Sequence, residues 1–139
     1  MKPEKFEKLI EKLSTKTQQK QALWNITSEK DEFKLDFENG FYVVINKKPI
    51  TSGNKVVGYR VSIVIYNPNG EQIDRYSLTS TISDPAEYKD LDAFFNQVKR
   101  GYLKVDESFD EIFKELDSNK IIGKEKDKEN QDKAEELPF

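Results

Sequence analysis

Apolar residues recur three and four apart at Phe6, Leu9, Ile10 and Leu13 while Lys and Glu fill the other positions, which predicts an amphipathic helix over residues 3–19. Pro3 suits the first turn of such a helix, where a backbone N–H has no intrahelical partner. Residues 16–21 include no apolar side chain, so the helix should fray there. From Phe33 the period changes from three-four to two. Phe33, Leu35 and Phe37 alternate with Lys34 and Asp36, and Asn39-Gly40 follows as a strong hairpin signal. Residues 41–47 read as the returning strand, 48–55 as a polar loop punctuated by Pro49 and Gly53, and 56–66 as the longest and most central strand. Asn67-Pro68-Asn69-Gly70 is a second turn, and 72–80 completes the sheet; 24–27 would add a fifth strand at its edge.

Two helices should follow. Asp84-Pro85 combines an N-cap with Pro at the first helical position, and Tyr88, Leu91, Phe95, Val98 and Tyr102 continue as an apolar seam loosened near its end by Gly101. Phe109, Ile112, Phe113 and Leu116 make a last amphipathic helix, with Asp106 and Glu107 near its N-terminus. The predicted class is α+β: one helix, a meander of four or five antiparallel strands, then two helices. The alternative is an OB-like barrel carrying added helices. Residues 1–122 would form one domain and 123–139 a disordered polar tail, because residues 123–133 offer nothing apolar to offset their ordering entropy.

Alternation divides the strands into two faces. Phe33, Leu35, Phe37, Phe41, Val43, Ile45, Tyr59, Val61, Ile63, Ile65, Tyr76 and Leu78 form an apolar face for the C-terminal helices to cover. The other face shows Lys34, Tyr42, Val44, Asn46, Arg60, Ser62, Val64, Tyr66, Ile73 and Arg75. Tyr42 and Tyr66 among Lys34, Arg60 and Arg75, with Lys47, Lys48 and Lys55 at the adjoining loop, are what a single-strand platform requires. Aromatic faces stack unpaired bases and cations follow the phosphates. The competing arrangement lays the N-terminal helix on this same face and makes the tyrosines packing residues.

Composition removes other chemistries. The chain has no Cys and no His, so disulfides, thiolate sites and imidazole acid–base chemistry are excluded, and no enzyme activity or cofactor is expected. Asp84, Asp90 and Asp92, or Asp106, Glu107, Asp110 and Glu111, could in principle hold Mg²⁺, but caps and solvated helix faces account for them. Gly53-Asn54-Lys55 lacks the surroundings of a phosphate loop and reads as a turn. Trp24, at the junction of helix and sheet, reads as a core anchor. With no long apolar span and no signal-like apolar region, the expectation is a soluble cytoplasmic protein.

Charge is uneven along the 139 residues, whose overall net is −3. Residues 33–78 carry six basic and four acidic side chains, whereas 84–117 carry five and ten. A polyanion would therefore prefer the sheet.

The chain ends in Glu135, Glu136, Leu137, Pro138 and Phe139 behind the polar run. An apolar tip with no neighbours to pack against is suited to being gripped by a partner. This ending resembles the acidic C-terminal tip of bacterial single-stranded DNA-binding proteins: acidic residues, an aliphatic residue, Pro and a terminal Phe. The resemblance is confined to these five residues and the polar character of the leash. It implies a docking peptide for DNA replication, recombination or repair proteins, on a body that does not read as that family's barrel, as in a phage or mobile-element version. Two functional classes follow. One is a non-enzymatic single-stranded DNA-binding protein whose tail recruits processing proteins. The other is a protein-interaction or regulatory module without nucleic-acid binding, for which the net acidity speaks. An exposed edge strand leaves room for homo-oligomers in either case.

Overall fold

A computed structural model of the chain describes residues 3–124, and the peptide from Glu135 to Phe139 lies outside the described residues. The elements are α1 (Glu4–Gln18), β1 (Asn25–Ile26), β2 (Glu32–Asp36), β3 (Tyr42–Ser52), β4 (Lys55–Tyr66), β5 (Gln72–Thr79), α2 (Pro85–Tyr102) and α3 (Val105–Leu116). This is the expected α+β order. The five strands pair antiparallel in sequence order, β1-β2-β3-β4-β5, and the sheet stays open rather than closing into a barrel. The chain forms two compact units, Met1–Lys104 and a second that begins at Val105.

Two turns of the same geometry set the register. In each, a three-residue loop ends in a glycine at positive φ, Gly40 (92°) and Gly70 (81°). Phe37 N–H donates to Phe41 O at 2.9 Å in the first, and Asn67 N–H to Glu71 O at 2.9 Å in the second. The turns lie side by side: a Cβ on Gly40 would come within 3.0 Å of Pro68 Cβ. Glycine is thus required there by both conformation and space.

Both helices of the first unit cover one face of the sheet. Phe6 of α1 stacks on Tyr76 of β5 at 5.6 Å, and Phe95 of α2 meets Phe33 of β2 at 5.9 Å. Phe33, Leu35, Val43, Ile45, Val61, Ile63, Tyr76 and Leu78 join Leu91, Phe94, Phe95 and Val98 in one core. Asp84 caps α2 as expected, its Oδ1 accepting from the N–H groups of Ala86 and Glu87 at 2.9 and 3.1 Å. Between the helices, Ser14 Oγ donates to Gln97 Oε1 at 2.7 Å and Gln97 Nε2 donates to Ser14 O at 2.9 Å.

The structure departs from the sequence expectations in four places. Residues 48–55 are not a loop: β3 runs to Ser52 and β4 starts at Lys55, leaving a two-residue turn at Gly53-Asn54. Pro49 does not break the strand. Lys47 donates its N–H to Asp31 O at 3.0 Å, so Pro49, two residues on, turns its nitrogen to the same side, where β2 has already ended. Second, Phe37, Phe41 and Tyr59 are partly exposed, since both β2–β3 turn and β3–β4 arm reach past the residues that α1 and α2 cover. Third, α1 joins α2 on the apolar face, which the C-terminal helices alone were expected to cover, and so does not take up the competing position on the polar face. Fourth, α1 does not fray over 16–18. Thr17 is buried, donates to Leu13 O at 2.7 Å and accepts from Trp24 Nε1 at 3.0 Å. Trp24 is the anchor expected of it, 5% exposed and edge-on to Phe94 at 6.3 Å.

In the second unit, α3 is amphipathic. Phe109, Ile112, Phe113 and Leu116 form its stripe, each about half exposed, and Phe109 lies 5.7 Å from Phe113.

Candidate nucleic-acid interface

With both helices of the first unit on one side, the other side of the sheet presents the even-numbered residues of β2, β3 and β4 in rows fixed by strand pairing. One row is Asp36, Tyr42, Tyr66 and Gln72; the next is Lys34, Val44, Val64 and Arg75. Then come Glu32, Asn46, Ser62 and Ser77, and finally Lys48, Arg60 and Thr79. The middle rows carry short side chains that are buried although both helices of the first unit lie on the other side: Val44, Asn46, Ser62 and Val64 are all under 9% exposed. Aromatic and charged side chains occupy the rows to either side of them.

The aromatic residues form a tight pair. Tyr42 and Tyr66 stack with ring centroids 4.7 Å apart and planes 12° from parallel. Lys34 Nζ sits 4.2 Å from the Tyr42 ring centre and 3.3 Å from Asp36 Oδ1. At the other end Lys48 Nζ meets Glu29 at 3.3 Å and Glu32 at 4.0 Å. Glu32 is held in turn by Asn46 Nδ2 at 3.0 Å and Thr27 Oγ1 at 2.7 Å. Arg60 and Arg75 differ: neither forms an ion pair with a carboxylate among the described residues, and Arg75 reaches only Gln72 Oε1 at 3.5 Å. Ser62 and Ser77 hydroxyls share a hydrogen bond of 2.7 Å between them.

Of the residues singled out from sequence, Lys34, Tyr42, Lys48, Arg60, Tyr66 and Arg75 come together on this face. Lys47 does not. Alternation puts it on the helix-bearing face, 2.9 Å from Asp92 Oδ1 and with Nζ 5.0 Å from the Tyr59 ring centre. Burial alone would lower its ammonium; the hydrogen bond and charge of Asp92 outweigh that and hold Lys47 above its ordinary value. Lys55 stands exposed at the tip of the β3–β4 arm, away from the tyrosines. The carboxylates Glu29 and Glu32 were not among the sequence candidates, although Glu32 continues the period of Lys34 and Asp36 and so was readable as facing the same way. Glu29 lies outside a strand and carried no such signal.

Elsewhere in the first unit, a cleft of about 610 Å³ opens where the β3–β4 arm runs beyond α2, lined by Lys47, Pro49, Val56, Tyr59, Phe95 and Lys99 among others. Asp92 is spent on Lys47 and Asp84 on the helix cap, and among the described residues no acidic cluster is arranged to hold a metal ion. No described helix is long and apolar enough to cross a membrane. What fold and face define is an α+β protein with one mixed aromatic and cationic sheet surface that neither α1 nor α2 covers. No family model, curated protein or solved structure matches the chain.

Proposed function

We propose that this chain is a single-stranded DNA-binding protein, without catalysis of its own, that holds the strand on the bare sheet face and recruits DNA-processing proteins through Glu135, Glu136, Leu137, Pro138 and Phe139. The observation that carries the reading is the Tyr42–Tyr66 stack on the same face as Arg60 and Arg75, two cations with no carboxylate partner among the described residues. Stacking on a tyrosine contributes about 1–3 kcal/mol per base and is indifferent to base identity. Duplex DNA, whose bases are already stacked and paired, cannot use such a surface. Fluorescence anisotropy of a labelled oligothymidine at low salt tests this. Binding that weakens with salt and is competed by single strands better than by duplex supports it; no binding at tens of micromolar protein defeats it. The tail is tested separately by deleting Leu137, Pro138 and Phe139, which should leave DNA affinity intact or higher and abolish capture of replication and repair proteins.

A protein-interaction module is the second reading, and α3 favours it. Its apolar stripe is exposed and its remaining positions are mostly acidic, a combination suited to a basic-rimmed protein groove and unfavourable to DNA.

A further inference from the structure

The bare face is not uniform, and its asymmetry says where on it a strand can lie. A ring has two faces to offer, and those of Tyr42 are both taken. Tyr66 covers the side toward β4 at 4.7 Å, and Lys34 Nζ covers the side toward β2 at 4.2 Å. Tyr66 has one face against Tyr42, while among the described residues no ring or cation lies on the other. The pair therefore presents one stacking surface, directed toward β5.

Charge divides the face the same way. On the β2 side Glu32 and Asp36 stand among the cations, with Glu29 close by, and they neutralise Lys34 and Lys48. On the β4–β5 side the face carries Tyr66, Val64, Ser62, Arg60, Gln72, Arg75 and Ser77 and no carboxylate; Asp74 pairs with Ile65 in register and so belongs to the other face. A phosphate chain is repelled from β2 and drawn to β4 and β5.

We infer, resting on the single-strand reading, that the ligand is a short stretch of strand running along β4 and β5, with Tyr66 stacking one base and Arg75 and Arg60 contacting phosphates. Tyr42 and Lys34 are positioning residues, holding the Tyr66 ring upright without touching the strand. Arg75 lies opposite Val64, two residues along β4 from Tyr66, and Arg60 four residues further. At about 3.3 Å per residue the whole track spans about 20 Å, room for roughly three to four nucleotides of an unstacked strand. The Ser62–Ser77 hydroxyl pair lies midway between the arginines, where a sugar or base edge would pass.

The test uses the full chain and fluorescein-labelled oligothymidines of increasing length. Affinity should rise steeply up to about four nucleotides and only statistically beyond. Tyr66→Leu should weaken binding about tenfold or more, with Tyr66→Phe close to wild type. Arg60→Ala and Arg75→Ala should each reduce the slope of log affinity against log salt by about 0.7, while Lys34→Ala leaves it unchanged because its charge is already met by Asp36. Photocrosslinking an oligonucleotide containing 5-iododeoxyuridine, read by peptide mass spectrometry, should place the adduct on Tyr66. An adduct on Tyr42, or a slope that falls for Lys34→Ala but not for Arg75→Ala, overturns the track while leaving single-strand binding standing. Absence of any binding by the wild type overturns both.

Discussion

The two faces of this sheet are built from alternate residues of the same strands, and they stay dry by different means. On the helix-bearing face Val61 and Ile63 are fully buried beneath Phe95, Leu91 and Val98, side chains fixed in a packed helix. On the bare face Val64 and Ser62 are nearly as hidden, at 1% exposure each, yet no helix of their unit lies over them. Neither belongs to the core cluster that α1 and α2 complete. The face packed against α1 and α2 should therefore carry the larger share of the stability, and truncation on the other face should cost the fold less.

The largest effect that would sharpen this contrast is at the helix layer. Phe95→Ala should cost about 3–5 kcal/mol by urea denaturation, because it opens a cavity among Phe33, Ile45 and Val61 that the sheet cannot close. The most direct comparison is Val61→Ala against Val64→Ala, the same substitution in one strand on opposite faces. Val61→Ala should cost about 2–3 kcal/mol and Val64→Ala about 1 kcal/mol or less, since Val64 lies outside the core cluster that α1 and α2 complete. Equal losses at the two sites would break the distinction.

A comparable loss is expected at Thr17→Val, which removes the acceptor for the buried Trp24 Nε1–H and should cost about 1–3 kcal/mol in the same assay. The smallest effect concerns alkaline pH. Tyr76 is held above the ordinary phenol range by burial and then by Glu87, Asp90 and Glu7; Tyr88 is raised by burial and by Asp92, and Lys47 is raised as described above. Each binds its proton more tightly folded than unfolded, so its contribution is whole below about pH 10 and is lost as pH rises through the folded value. Unfolding free energy should thus decline above about pH 10. Tyr76→Phe should lessen that decline. Because the Tyr76 hydroxyl is buried with no hydrogen-bond partner among the described residues, the same variant should be neutral or about 1 kcal/mol more stable at pH 8. Destabilisation at pH 8 would show that the hydroxyl has a partner.

Much of this architecture was legible along the chain. The three-four spacing of Phe6, Leu9, Ile10 and Leu13, the alternation from Phe33, the Gly40 and Gly70 turns and the Asp84-Pro85 start of α2 are local signals, each readable within a few residues. What misled was also local. Pro49 and the polar residues beside it imitate a loop, and only the early end of β2 makes a proline harmless there. Thr17 looked like part of a fraying terminus because its burial depends on Trp24 and Gly101, seven and eighty-four residues away.

The candidate face shows the same division. Period two placed Lys34, Tyr42, Arg60, Tyr66 and Arg75 on one side, since alternation is a property of the strand itself. It did not say that Lys34 would be spent on Asp36 and Tyr42, or that Lys47 would turn to Asp92. The sequence by itself determined which elements form and which residues share a face, because backbone geometry fixes both over short range. Which face α1 would cover, and so whether Tyr66, Arg60 and Arg75 are open to a ligand, was decided only when elements far apart in the chain packed. A pattern of apolar positions says that a helix needs a partner surface, and tertiary contact alone says which one it finds.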